Sequence, residues 1–310
     1  MSMPQLSMQL RTFTDDPDHD WSSTLGLATA MDVAGIDRLV VSDHVVFGDD
    51  LADYGNPALG GIAGGVQPTG ADGQWLEPLT VLAMLAASTQ RIRLGTAILL
   101  AALRRPVVLA KQLSTLDVLS RGRVDLGVGV GWQRAEYDAA GLDFRHRGTL
   151  LDHTLDVCRL LWTERRCAYR SDELAFEGIH QMPKPLQPGG IPIWVSGTVN
   201  EAVARRLACF GTGWIPWGAA IADPAGSIAA MKDKIADGGG DPTGLQVLGH
   251  ARTVKRADRS VDLAATVASA LPLIAAGVTD VRVSMSLPAE PNQATDLLTE
   301  LVEEFRAVTS

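Results

Sequence analysis

Three cysteines in 310 residues, Cys158, Cys167 and Cys209, with no paired spacing, exclude a disulfide framework and a thiolate metal site. They read as reduced thiols and predict a cytoplasmic protein. No apolar run reaches the about 18 residues a membrane-spanning helix needs. The start, MSMPQLSMQL, lacks the basic residues and long apolar core of a secretory signal, so no membrane role is expected. Lysine is scarce, with 5 of 27 basic residues against 22 arginines, and the formal net charge is −9. That balance gives no basic surface for nucleic acid. The six histidines form neither a His-x-His nor a His-Glu-x-x-His pattern, which excludes a metal-dependent barrel hydrolase, and no metal is expected.

What is present is an ordinary globular composition, 46% hydrophobic and 20% charged. A chain this long buries roughly 75% of its unfolded surface and needs no staple. Short β-type runs occur at 7–12, 38–42, 92–99, 123–129, 191–196, 212–216, 245–252 and 279–285. Helical spacing lies between them: Leu109, Leu113 and Leu116 behind Pro106; Leu151, Leu155, Cys158 and Leu161; Val199, Val203, Leu207 and Phe210. Eight alternating units predict a single (β/α)₈ TIM-barrel domain over 1–310. A doubly wound sheet would place a glycine fingerprint in its first βα turn, but RTFTDDPDHDW has no glycine. Two insertions interrupt the barrel, after strand 2 (47–74) and before strand 5 (164–190). The first holds eight glycines and two prolines without periodicity, and predicts a lid.

Barrel enzymes place chemistry at the C-terminal ends of their strands. The second strand ends LVVSDHVV, which puts Asp43 and His44 there. An imidazole titrates near neutrality and suits proton transfer; a polar cap on the strand end is the alternative, and spacing alone leaves both open. In Gly127-Val128-Gly129-Val130-Gly131-Trp132, the glycines admit either a flat ligand or crowded neighbours. Trp132 is a stacking wall or core. Ser196-Gly197-Thr198 ends the fifth strand, and Thr198 with Glu201 spells a capping box at a helix start suited to an anion. Arg104 and Arg105 are a second anion candidate or a solvated pair.

The stretches SDHVV, RIRLGTAILLAALRRPVVLAKQLSTLDVLSRGRVDLGVGVGW, RGTLLDHTLDVCRLLW and IPIWVSG, in this order over most of 38–215, resemble the luciferase-like monooxygenase family, closest to its F420-dependent branch. The resemblance implies a barrel holding a reduced flavin or deazaflavin at its mouth. His44 would be the proton donor or acceptor, with Asp43 contacting ring or substrate. Ala97–Ile98 would form a non-prolyl cis peptide behind the ring. Gly129 and Gly131 would line the cofactor, Trp132 would stand beside it, and Ser196, Gly197 and Thr198 would take its phosphate-bearing tail. Trp132 occupies the place of a catalytic glutamate in the sugar-phosphate dehydrogenase branch, so that chemistry is not carried over. Arg104 and Arg105 would face the phosphate and oligoglutamate tail of F420.

The implied activity is hydride transfer between F420 and a small organic substrate. The alternatives are an FMN-dependent two-component monooxygenase, fed by a separate reductase, and a flavin-binding protein without turnover. A homodimer is implied, and substrate selection is expected from 47–74 and 164–190.

Overall fold

The structure, a computed structural model, describes residues 3–309. Eight parallel strands close a barrel: β1 (Gln5–Gln9), β2 (Arg38–Val41), β3 (Arg93–Thr96), β4 (Val124–Val128), β5 (Ile193–Gly197), β6 (Gly211–Pro216), β7 (Gln246–His250) and β8 (Asp280–Val283). They follow one another around the ring in chain order, and β8 returns to β1 with Ser7 beside both Arg282 and Arg38. The helices are α1 (Ser23–Ala34), α2 (Pro78–Ser88), α3 (Pro106–Leu119), α4 (Arg134–Ala139), α5 (Arg147–Thr163), α6 (Glu201–Phe210), α7 (Pro224–Asp237), α8 (Leu263–Ala268), α9 (Leu271–Ala275) and α10 (Pro291–Thr309). Among the described residues no helix is long and apolar enough to cross a membrane.

The expected (β/α)₈ barrel is present, with its strands at the anticipated positions. The first lies two residues earlier than its sequence pattern suggests. Gln5 finds Asp280 across the ladder, and the chain leaves the barrel after Gln9. Phe13–Thr14 then pairs antiparallel with Gln74–Trp75, which anchors the far end of the 47–74 insertion. That insertion is ordered into two short 3₁₀ turns, Ala52–Gly55 and Pro57–Leu59.

Period-two alternation divides the strands into two faces. Leu39, Val41, Leu94, Leu126 and Val195 join the apolar layer under the helices. Residues of the other parity fill the barrel. Its floor is ionic: Arg38 Nε donates to Asp125 Oδ2 (2.8 Å), Arg38 also pairs with Asp280, and Arg93 Nη2 meets Asp125 Oδ1 at 2.7 Å. Trp194 lies across Arg38, with the guanidinium 4.4 Å from the ring centre. Above it Ile215, Leu248 and Ile98 form a thin apolar layer.

Pro106 opens α3 at the position its fixed φ favours. The capping box predicted from Thr198 and Glu201 is not formed. Asn200 is the cap, its side-chain oxygen accepting from Val203 N–H at 3.0 Å, while its amide donates to Thr198. An asparagine immediately before the first helical residue outcompetes a threonine two places earlier.

The 164–190 segment folds as a hairpin, Cys167–Arg170 with Ala175–Ile179, followed by an extended return. Gln187 at its end donates to Val124 O (2.7 Å) and accepts from Arg93 Nη2 (2.9 Å). Val124 and Arg93 are the first residues of β4 and β3, so this segment closes the barrel at the end opposite the mouth. The expectation that it selects substrate is corrected on that ground.

Candidate functional site

At the mouth, the end of β2 sends its polar residues in different directions. Ser42 Oγ accepts from Gln9 Nε2 (2.7 Å) and donates to Ala97 O (3.3 Å), tying the rims of β1, β2 and β3 together. Asp43 turns away from the opening. Its side chain is fully buried, Oδ2 accepts from Leu100 N–H (2.8 Å) and Arg104 Nη1 (2.6 Å), and Oδ1 accepts from Arg104 Nη2 (3.1 Å). Arg104 also holds Glu77 Oε1 at 3.0 Å. Burial would lower the Arg104 pKa, yet the hydrogen bonds and charge of Asp43 and Glu77 outweigh it and raise it. Both oxygens of Asp43 are therefore occupied by a bidentate clamp. The structure gives Asp43 a bracing part instead of a ring contact, and removes Arg104 from the groups free to meet an anion. Arg105 remains exposed at the start of α3.

His44 takes the opposite course. Its Nδ1 lies 3.2 Å from Glu136 Oε1, in α4, and the same oxygen accepts from Val45 N–H at 2.8 Å. With Glu136 ionised its oxygen can only accept, so Nδ1 carries the proton in this contact and Nε2 is left as the working nitrogen. No described residue hydrogen-bonds Nε2. The ring is walled by Phe47 (4.5 Å between centroids), Trp75 (4.7 Å, edge-on) and Trp132 (5.9 Å, edge-on). Glu136 Oε2 and Trp132 Nε1 are buried here without a partner.

The backbone between β3 and α3 carries a cis peptide at Ala97–Ile98, where the family resemblance places one. Ile98 points at β4: a Cβ on Gly129 would stand 3.0 Å from its Cδ1, and one on Gly131 2.7 Å from Leu100 Cδ2. Gly131 also has φ +69°. A Cβ at either position would meet a protein side chain, so crowding by itself accounts for both glycines. At the end of β5, Gly197 O accepts from Trp214 Nε1 and Trp217 N–H, and Thr198 is exposed beside Ser196.

Part of the mouth is covered. Trp217 Nε1 donates to Gly60 O (3.0 Å), and Arg147 Nη2 to Leu59 O (3.3 Å). Gly48 N–H donates to Gln133 Oε1 (3.0 Å), and the Tyr54 ring lies edge-on to Trp132 and Trp217. Burial raises the Tyr54 phenol pKa. The insertion is thus pinned across the β4 and β6 rims. The remaining rim, over β1, β7 and β8, is open and polar: Arg11, His250, Arg252 and Ser284 are exposed there. His250 opens onto the mouth yet is ringed by protein, and burial together with Arg282 pushes its pKa down to about 4.

Sequence reasoning missed Glu136, Phe47, Trp75, Tyr54, Trp217, His250 and Arg282. Glu136 had a usable signal, a carboxylate one helical turn beyond the glycine run. Phe47 and Tyr54 had none, because they come from an aperiodic insertion.

The family model for luciferase-like monooxygenases matches residues 5–296. An uncharacterised protein of Mycobacterium tuberculosis (strain H37Rv) is 39% identical over 140 residues, 45% of this chain and 49% of that protein. The F420-dependent glucose-6-phosphate dehydrogenase of Segniliparus rotundus is 31% identical over 189 residues, 58% of this chain and 48% of that enzyme. The chain spans about half the length of these curated relatives. Among solved structures, a long-chain alkane monooxygenase superimposes with TM-score 0.76 at 13% identity, covering 99% of this chain and 92% of that one, which speaks to the fold alone.

Proposed function

The chain belongs to the luciferase-like monooxygenase family, and from that premise we propose an F420-dependent oxidoreductase that transfers a hydride between the deazaflavin and a small organic substrate. The observation that carries this reading is the His44–Glu136 pair, held at the barrel mouth with Nε2 unengaged. The site fits a flat heteroaromatic group on its own chemistry. Trp132 Nε1–H and Glu136 Oε2 are buried polar atoms without partners, set among Phe47, Trp75 and Tyr54. When bound, the deazaflavin supplies the two-electron donor or acceptor. Ile98, Trp132, Ser196, Gly197 and Thr198 would hold it, with Arg105 toward its acidic tail.

The chain's own part is proton handling and exclusion of water. Glu136 fixes the His44 tautomer, and His44 Nε2 gives a proton to the substrate, or takes one, as the hydride moves. The pinned insertion keeps bulk water from the β4–β6 side. A homodimer belongs to the same proposal.

A second reading, open to the same family membership, is an FMN-dependent monooxygenase with a separate reductase. Titration with F420 and with FMN, followed by oxygen uptake with each reduced cofactor, separates the two. F420 binding with substrate-dependent oxidation or reduction and no oxygen uptake is the expected result. Tight FMN binding with oxygen consumption would replace the first reading by the second, and binding without turnover on a broad substrate panel would leave a flavin-binding protein.

A further inference from the structure

The charges inside the barrel do not balance. Arg38 has Asp125 and Asp280, and Arg93 has Asp125. Arg282, the third residue of β8, faces the same interior with only a hydroxyl for company, its Nε donating to Ser7 Oγ at 3.4 Å. Among the described residues no carboxylate lies within ion-pair distance of it, and it is 5% exposed. Burial, and after it the charge of Arg38, lowers its pKa to about 9. An unpaired buried charge is costly, and a purely structural arginine would be given a carboxylate, as Arg38 and Arg93 are.

Its surroundings point to a ligand. His250 is its register partner on β7 and is open to the mouth, as is Ser284 two residues further along β8. A second buried donor, Trp194 Nε1–H, stands in the same barrel interior without an acceptor. Arg282 thus lies just beneath the open part of the rim. A guanidinium fork is shaped for a planar two-oxygen anion.

We propose that Arg282 anchors the carboxylate of an organic-acid substrate that enters over β7 and β8. The proposal rests on the mouth being the substrate site, and refines it by naming the substrate class.

The test titrates benzoate, and acetate as a smaller probe, into the cofactor-free protein, read by calorimetry and tryptophan fluorescence, with thermal melts alongside. Wild type should bind benzoate. Arg282→Met should weaken that binding roughly 10–100-fold, the range for a lost charge-assisted hydrogen bond. The same variant should melt at a higher temperature without ligand, since an apolar side chain replaces an unpaired charge. Arg282→Lys should bind benzoate weakly, as it keeps the charge and loses the fork. Benzoate affinity unchanged in Arg282→Met would overturn the proposal. So would a wild type that binds neither acid while both variants melt lower, which is the behaviour of a structural arginine. F420 and FMN titrations of the same variants stand apart: lost cofactor binding with intact benzoate binding would assign the guanidinium to the ring and overturn the proposal. Benzoate binding in a wild type that takes neither cofactor would sink the functional reading and leave Arg282 as an acid site.

Discussion

The covered and open parts of the barrel mouth are built on opposite principles. Over β2, β4 and β6 the rim is aromatic and closely braced, with His44 backed by Glu136 and the insertion tied down through Gly60 and Leu59. Over β1, β7 and β8 it is polar, cationic and exposed. The first part has its bracing hydrogen bonds made, with His44 Nε2, Glu136 Oε2 and Trp132 Nε1 left unengaged, as a site needs when it must hold one imidazole in one tautomer. The second holds donors waiting for a partner, as a site needs when it must accept something from solution. On the proposed reading, chemistry and recognition fall to different strands of one ring.

Substitutions can break that division. The largest expected effect is at His44. Replacing it by alanine should slow turnover by about 10²–10⁴-fold if it is the acid or base, with cofactor affinity nearly intact; wild-type rates would end its assignment. Next comes the brace beneath it. Asp43→Asn leaves Arg104 with Glu77 as its remaining counter-charge, at a cost of up to about 3–5 kcal/mol in denaturant unfolding. A loss near zero would mean that Glu77 alone suffices. Trp217→Phe removes the Nε1 bond to Gly60 O, worth about 0.5–1.5 kcal/mol. It should speed hydrogen exchange around residues 57–61 while leaving exchange in β7 and β8 unchanged. Equal acceleration on both sides would show that the two parts are not separate.

A last test concerns pH. His250 has a native pKa near 4 against an ordinary 6.5. As pH falls through 6.5 the unfolded chain takes up this proton and the native protein does not, so stability declines until pH reaches about 4 and then levels. His250→Asn should flatten that part of the stability profile, and Arg282→Met should narrow the window by raising the native pKa. Identical profiles in all three proteins would remove His250 from the interior of the mouth.

The barrel was legible because eight apolar runs separated by helical spacing leave few other architectures, and LVVSDHVV announced a rim by ending a buried run in ionisable residues. The division of labour within that stretch was not. Which of Asp43 and His44 looks inward depends on Arg104 and Glu136, 61 and 92 residues away. The glycines after β4 stayed ambiguous for a related reason, since the residues they make room for, Ile98 and Leu100, belong to the segment that follows the neighbouring strand. Arg282 was invisible as a candidate because an arginine in a strand stands out only when its missing carboxylate can be noticed.

The insertion pinned through Gly60 and Leu59 has a kinetic corollary. With the mouth roofed on the β4–β6 side, the proposed deazaflavin ring and the proposed organic acid would have to pass the same doorway over β1, β7 and β8. Whichever lies deeper must arrive first and depart last. Steady-state turnover should then follow a compulsory order, with product inhibition competitive against one reactant and not the other.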